Sequence, residues 1–228
     1  MKIALLMGGE YRIFDSCFEN WHDQCLKNFE YDLFLSTWSK TNRLSDKFGD
    51  VSPTNVTRDR VLGATRSKEP YFLNIEDDIQ FHIRPNKQIY HWHRLLTNLI
   101  NVKDQYDFVI LTRPDVFINN ETINVTEFIK NCDKNKLYGA SKISITTPEI
   151  YHRLTVHDIY FMGSPDVLID MLLPVPFITT DIETEKIGRG IGMHTHLANY
   201  FVQRNIFVHA YGTGSIIDSS WHNNLGIE

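Results

Sequence analysis

Phe108-Val-Ile-Leu-Thr-Arg113-Pro114-Asp115-Val-Phe-Ile118 places an Arg and an Asp two positions apart, directly after an apolar run. In an extended segment, positions two apart face the same side. The Asp suits a divalent cation, because hard cations prefer carboxylate oxygens and can bridge two phosphates. The Arg suits a phosphate or an orienting contact to the Asp, and the pair equally suits the cap of a turn. A second segment, Gly8-Gly9 followed by Arg12, lets backbone approach a ligand and puts a guanidinium where helix-start amides meet phosphate. Its spacing is not a full dinucleotide-binding fingerprint. Glu76 and Asp78 offer another carboxylate pair two apart, a pattern shared with solvated turns. His91 and His93 point apart on a helix, which argues against a shared zinc. The chain has no Walker loop, nucleophile elbow or paired CxxC, which excludes P-loop kinases, common esterases and zinc ribbons.

The elements that must position these residues alternate between strand and helix. Lys2 to Met7 is a short apolar run ending at Gly8-Gly9, as in a strand buried on both faces. Phe14, Cys17, Phe18, Trp21, Cys25, Leu26 and Phe29 recur at helical spacing, and Tyr31 to Ser36 predicts a second strand. That order makes a βαβ unit, the opening of a doubly wound sheet. Residues 39–70 predict a long loop with a helical turn near Arg58 to Leu62. Strands are predicted at Tyr71 to Ile75, Tyr106 to Leu111, Val116 to Ile118, near Leu137, at Ile159 to Met162 and at Ile206 to His209. Helices are predicted from Ile89 to Ile100, Val125 to Lys130, Pro165 to Leu172 and Met193 to Phe201, with a long loop over 174–192. Ligands of open α/β sheets bind at the carboxyl ends of the strands, which is where Arg113 and Asp115 fall.

Composition fits this reading. The chain has 228 residues, 42% hydrophobic and 22% charged, which excludes disorder and low complexity and suits one large α/β domain. A formal charge of -5 argues against a sequence-independent grip on a nucleic acid polymer. The apolar runs are far short of the ~20 residues of a membrane helix, and the opening residues predict a buried strand rather than a signal peptide. Cys17, Cys25 and Cys132 are odd in number and lack metal-type spacing, so free thiols and a cytoplasmic location are expected, with the three Asn-X-Thr sequons arising by chance.

Met7-Gly-Gly-Glu-Tyr-Arg12, Asp32-Leu-Phe-Leu-Ser-Thr-Trp38 and Arg113-Pro-Asp115, in this order of elements, resemble the GT-A glycosyltransferases. The resemblance is greatest to small viral and bacterial enzymes that build capsid glycans or capsular and surface polysaccharides. It implies a single GT-A domain over residues 1–228, an α/β Rossmann-like fold with a mostly parallel central sheet flanked by helices. It also implies transfer of a sugar from a nucleotide-diphosphate donor, with UDP-sugar favoured, to a hydroxyl of a glycan acceptor. In that family a DxD motif binds Mn²⁺ or Mg²⁺ on the donor diphosphate. Arg113-Pro114-Asp115 stands in its place with Arg at the first acidic position, leaving Asp115 as metal ligand and His209 as the C-terminal ligand, with His222 behind it. Gly8, Gly9, Arg12, Thr37, Trp38 and Arg113 would hold the nucleotide, with Trp38 either a base-stacking wall or core. Asp158, just before a predicted strand, would be the general base or an acceptor ligand. His196 would serve as a base, bind the acceptor or cap a helix. Two other readings remain: a nucleotidyltransferase or sugar-nucleotide hydrolase, and a non-catalytic glycan-binding module on a degenerate transferase fold.

Overall fold

The computed structural model describes residues 1–40, 54–77, 87–118, 124–145, 152–175, 197, 200–206, 208–210 and 217–218. Most of the loop expected over 174–192 lies outside them, as do Met193, Asp78 and residues 41–53 of the first loop.

The first apolar run forms β1 (Lys2–Gly9), whose side chains alternate between two cores. Ile3, Leu5 and Met7 enter one, and Ala4 and Leu6 enter the other. Both faces of the strand are therefore covered, which explains a run with no polar alternation. The amphipathic segment that follows is α1 (Phe14–Gln24), closed by a short turn of tighter helix over Leu26–Asn28. It leads into β2 (Glu30–Trp38), parallel to β1 with Gly9 opposite Thr37.

In the first long loop the helical turn extends to α2 (Arg58–Ala64), where the Thr57 side chain accepts from the Arg60 amide and caps the helix. Then come β3 (Phe72–Glu76), α3 (Lys87–Ile100), β4 (Phe108–Thr112), β5 (Phe117–Ile118) and α4 (Val125–Asn131). The chain continues through β6 (Leu137–Ile145), β7 (His152–Gly163), α5 (Pro165–Leu172), β8 (Val208–Ala210) and β9 (Ile217–Asp218). Pro165 opens α5, with Ser164 as its cap.

Among the described residues seven strands form one sheet in the order β3-β2-β1-β4-β7-β6-β8, while β5 and β9 pair separately. Among the described residues only β7 runs against its neighbours in this sheet; β1 to β4 are parallel, and β8 is parallel to β6. This is the expected α/β architecture with a mostly parallel sheet between helices. α1 and α2 pack on the face of Leu5, α3 and α5 on the face of Leu6, together with Leu197, Tyr200 and Phe201. The chain winds outward from β1 to β3, crosses back through α3 on the other face, and re-enters as β4 on the far side of β1. The order therefore reverses between β1 and β4, the position at which open α/β sheets leave a crevice at their carboxyl edge.

Two strands depart from expectation: β9 lies beyond the last predicted strand, and β7 starts early. β7 begins at His152 rather than near Ile159, so Asp158 lies inside it and not before it. The polar, charged sequence of 152–158 hides a strand because it reads as a loop. Gly139 pairs with Phe161 and Ser141 with Val156, so residues 157–160 face the single residue Ala140 in a bulge. Among the described residues no helix is long and apolar enough to cross a membrane.

Candidate functional site

At the β1/β4 reversal, two loops far apart in sequence meet. β1 and β4 are in register with Met7 opposite Thr112, so Gly8 to Arg12 and Arg113 to Asp115 leave the same edge side by side. Gly9 has φ +133°, and Arg12 has φ 36°, a left-handed conformation rare for a side-chain-bearing residue and frequent at functional sites. Gly8 serves packing: a Cβ there would come within 2.9 Å of Leu95 Cδ1 and 3.2 Å of His91 Cβ on α3.

The Asp115 carboxylate lies beneath this junction. Arg113 Nε donates to Oδ1 at 2.8 Å and Arg113 Nη2 to Oδ2 at 2.7 Å, a two-pronged pairing with its own near neighbour. Arg12 Nη1 donates to Oδ2 as well, and Arg12 Nε donates to Glu10 Oε2 at 3.2 Å. Asp115 is only 2% exposed, whereas the Arg12 and Arg113 side chains are 18% and 21% exposed. Burial alone would push the Asp115 carboxyl up, but the Arg113 and Arg12 guanidiniums outweigh it and hold it below the ordinary carboxylate range.

Helix α1 fixes the segment beyond Asp115. Trp21 Nε1 donates to the Val116 carbonyl at 2.8 Å. The Ile118 amide donates to Asn20 Oδ1 at 2.6 Å, and Asn20 Nδ2 returns a bond to the Ile118 carbonyl at 3.1 Å. Glu10 and Asn20, for which no role is expected from the sequence, thus belong to the site's frame, together with Trp21 of the apolar stripe. Asn20 beside the apolar Trp21 is the available signal, a polar side chain at the margin of a buried helix face. At the start of α1, Asp15 accepts from Tyr11 Oη at 2.6 Å and from Arg60 at 3.0 Å.

The other expected residues are placed as follows. Thr37 is fully buried at the end of β2, and its Oγ1 has no hydrogen-bond partner among the described residues. Trp38 is 2% exposed, stacked on Tyr90 at 5.7 Å with 11° between the rings and edge-on to His91 at 4.3 Å. Its ring is buried against α3. Ser36 Oγ lies 2.8 Å from His91 Nδ1 and accepts from Asn74 at 3.0 Å, while His93 Nε2 lies 2.8 Å from the Val175 carbonyl. The two histidines serve different contacts. Glu76 is engaged by Tyr90 Oη and by Arg94 at 2.6 Å, and Asp77 accepts from Ser39 at 2.6 Å.

Tyr160 of β7 pairs with Thr112, the last residue of β4. Because β7 runs antiparallel, the backbone of Asp158 lies past that end, within the bulge. The bulge therefore reaches the sheet edge that carries Arg113 and Asp115. His209 is elsewhere: it pairs with Tyr138, which pairs with Met162, which pairs with Ile110. Three strand spacings, about 14 Å, separate it from β4. His196 and His222 lie outside the described residues.

A divalent cation at Asp115 was the expected chemistry, and the residues as arranged do not fit one. Both carboxylate oxygens already accept from guanidiniums, the neighbouring cations would repel a metal, and the proposed partner His209 stands three strands away. Among the described residues no group of three or more His, Cys, Asp or Glu is placed to hold a metal ion.

No protein-family model matches the chain, and no curated protein matches it in sequence. Among solved structures it is similar to a glycosyltransferase involved in the glycosylation of the major capsid of PBCV-1, with a TM-score of 0.47 and 9% identity, over 92% of this chain and 81% of that one.

Proposed function

We propose that the chain is a glycosyltransferase that moves a sugar from a nucleoside-diphosphate donor, a UDP-sugar by preference, to a hydroxyl of a glycan acceptor. The observation that carries this reading is the meeting of the Gly8–Arg12 and Arg113–Asp115 loops in one buried ionic cluster at the β1/β4 reversal. A sugar nucleotide needs charge compensation where its diphosphate departs, and two guanidiniums at a strand-end crevice supply it. The resemblance of the three sequence segments to GT-A enzymes supports the same reading.

In the reaction, the acceptor oxygen forms a bond to the anomeric carbon, the bond from that carbon to the diphosphate oxygen breaks, and the nucleoside diphosphate leaves with the electron pair. The acceptor proton passes to a base in an inverting reaction. Asp158 is the group proposed for that role, on its position at the same sheet edge. His196 is the second proposed base or acceptor ligand, and Thr37 the proposed hydroxyl near the nucleotide.

Thermal shifts with UDP, GDP, CMP and ADP test donor binding, because a ligand that binds only the folded state raises apparent stability with its affinity. A shift with one nucleoside diphosphate that disappears in Arg113→Gln supports the transferase. No shift with any nucleotide, together with retention of glycans on an array, favours the non-catalytic glycan-binding module.

A further inference from the structure

We infer that the donor diphosphate is held without a metal ion, by Arg12 and Arg113, and that Asp115 is a positioning residue for those two guanidiniums rather than a metal ligand. This rests on the donor reading above.

The inference follows from depth and pairing. The cluster Glu10, Arg12, Asp115 and Arg113 is neutral in sum, so its preference for an anion or a cation depends on which charges lie outermost. Asp115 is the deepest, at 2% exposure, and both arginines lie nearer the surface. Glu10, paired with Arg12, is 13% exposed, so the outer charges are Arg113 and the Arg12–Glu10 pair, one net positive charge above the buried carboxylate. Arg113 grips both carboxylate oxygens, and Arg12 shares Oδ2, so the buried anion fixes the direction of two side chains that otherwise carry many rotamers. A cation taking Asp115 would have to displace those donors and then lie beside their charges.

Backbone geometry supports the same assignment. The positive φ of Gly9 and of Arg12 bends the loop after β1 so that Arg12 reaches a residue following β4. Such strain persists only where the surroundings fix it, and the carboxylate supplies that fixation. In the place where a metal would neutralise two phosphates, this chain has two fixed cations, and planar guanidinium matches phosphate oxygens in pairs.

Calorimetric titration of the full chain with inorganic pyrophosphate and with UDP tests this, in EDTA and again with Mn²⁺. Both anions are expected to bind in EDTA, with no tightening by Mn²⁺. Arg12→Gln and Arg113→Gln are each expected to weaken metal-free binding by about tenfold or more, the size of one charged hydrogen bond. Arg113→Lys, which keeps the charge and loses the fork, is expected not to restore it. Asp115→Asn is expected to weaken metal-free binding too. If that variant fails to fold, the wild-type EDTA titration and the arginine variants still decide.

Binding seen only with Mn²⁺ would overturn the inference and leave the transferase reading standing. Absence of binding by either anion under both conditions would also overturn it, the cluster then being a structural brace. Metal-free pyrophosphate binding without turnover of any nucleotide sugar would overturn the transferase reading, and with it the donor, while upholding the metal-free grip of the two arginines on a diphosphate.

Discussion

Arg12 and Asp115, 103 positions apart in sequence, share a hydrogen bond at the carboxyl edge of the sheet and tie the loop after β1 to the loop after β4. Each loop alone is a short charged turn. Together they close the reversal point of the sheet around a buried carboxylate held by two guanidiniums.

Breaking that cluster should destabilise the fold. Asp115→Ala leaves two buried or half-buried guanidiniums facing each other, a change of the kind that costs about 3–5 kcal/mol. At 2–4 °C per kcal/mol for a chain of this size, the melting temperature should fall by roughly 10 °C. Chemical denaturation would check this, and a loss below about 1 kcal/mol would show that the cluster contributes little.

The same carboxylate should make stability depend on pH at the acid end. Its pKa is depressed in the folded state, so its contribution is fully present above the unfolded value near 4 and is lost as pH falls through the folded value. Glu76 is also depressed: its burial is outweighed by hydrogen bonds from Tyr90 and Arg94. Denaturation curves between about pH 2 and 6 for wild type, Asp115→Asn and Glu76→Gln would separate the two, each substitution removing part of the acid-side slope.

Gly8 should not tolerate a side chain. Its added Cβ would press on Leu95 Cδ1 at 2.9 Å, so Gly8→Ala is expected to cost about 1–3 kcal/mol, with partial recovery in Gly8→Ala/Leu95→Val. A neutral Gly8→Ala on urea denaturation would mean that α3 can retreat from the strand.

Trp38 should affect stability and not base choice. Buried against Tyr90 and His91, it is expected to cost about 3–5 kcal/mol when changed to Ala. Trp38→Phe should leave the ranking of UDP, GDP and ADP unchanged in a thermal-shift panel. A reordered ranking would place the ring against the nucleotide.

Much of the fold was legible because its signals are local. The unbroken apolar run of β1, the stripe from Phe14 to Trp21 and the Pro165 start of α5 each follow from the periodicity or stereochemistry of a few neighbouring residues. The start of β7 was not legible, since 152–158 carries charges and its pairing with β6 passes through a bulge that no local pattern announces. At the site, Arg12, Arg113 and Asp115 stood out by type and spacing. Their mutual pairing did not, because it depends on the β1/β4 register, a long-range property. His209 was placed with Asp115 by resemblance alone, and the strand order puts three spacings between it and β4. Trp38 was ambiguous because an aromatic at a strand end suits either a pocket or a core, and its stacking on Tyr90 of α3 is a long-range contact that no local pattern shows.

The most direct measurement is release of the free nucleotide (UDP, GDP or CMP) from a panel of UDP-, GDP- and CMP-linked sugars, with and without simple glycan acceptors. Comparison is with Arg113→Gln and Asp158→Asn. Turnover of one donor class, raised by an acceptor, is expected. Arg113→Gln should weaken donor use by about tenfold or more, and Asp158→Asn should lower kcat by about 10²–10⁴-fold while donor binding persists. No release from any donor by the folded wild-type chain would contradict a glycosyltransferase.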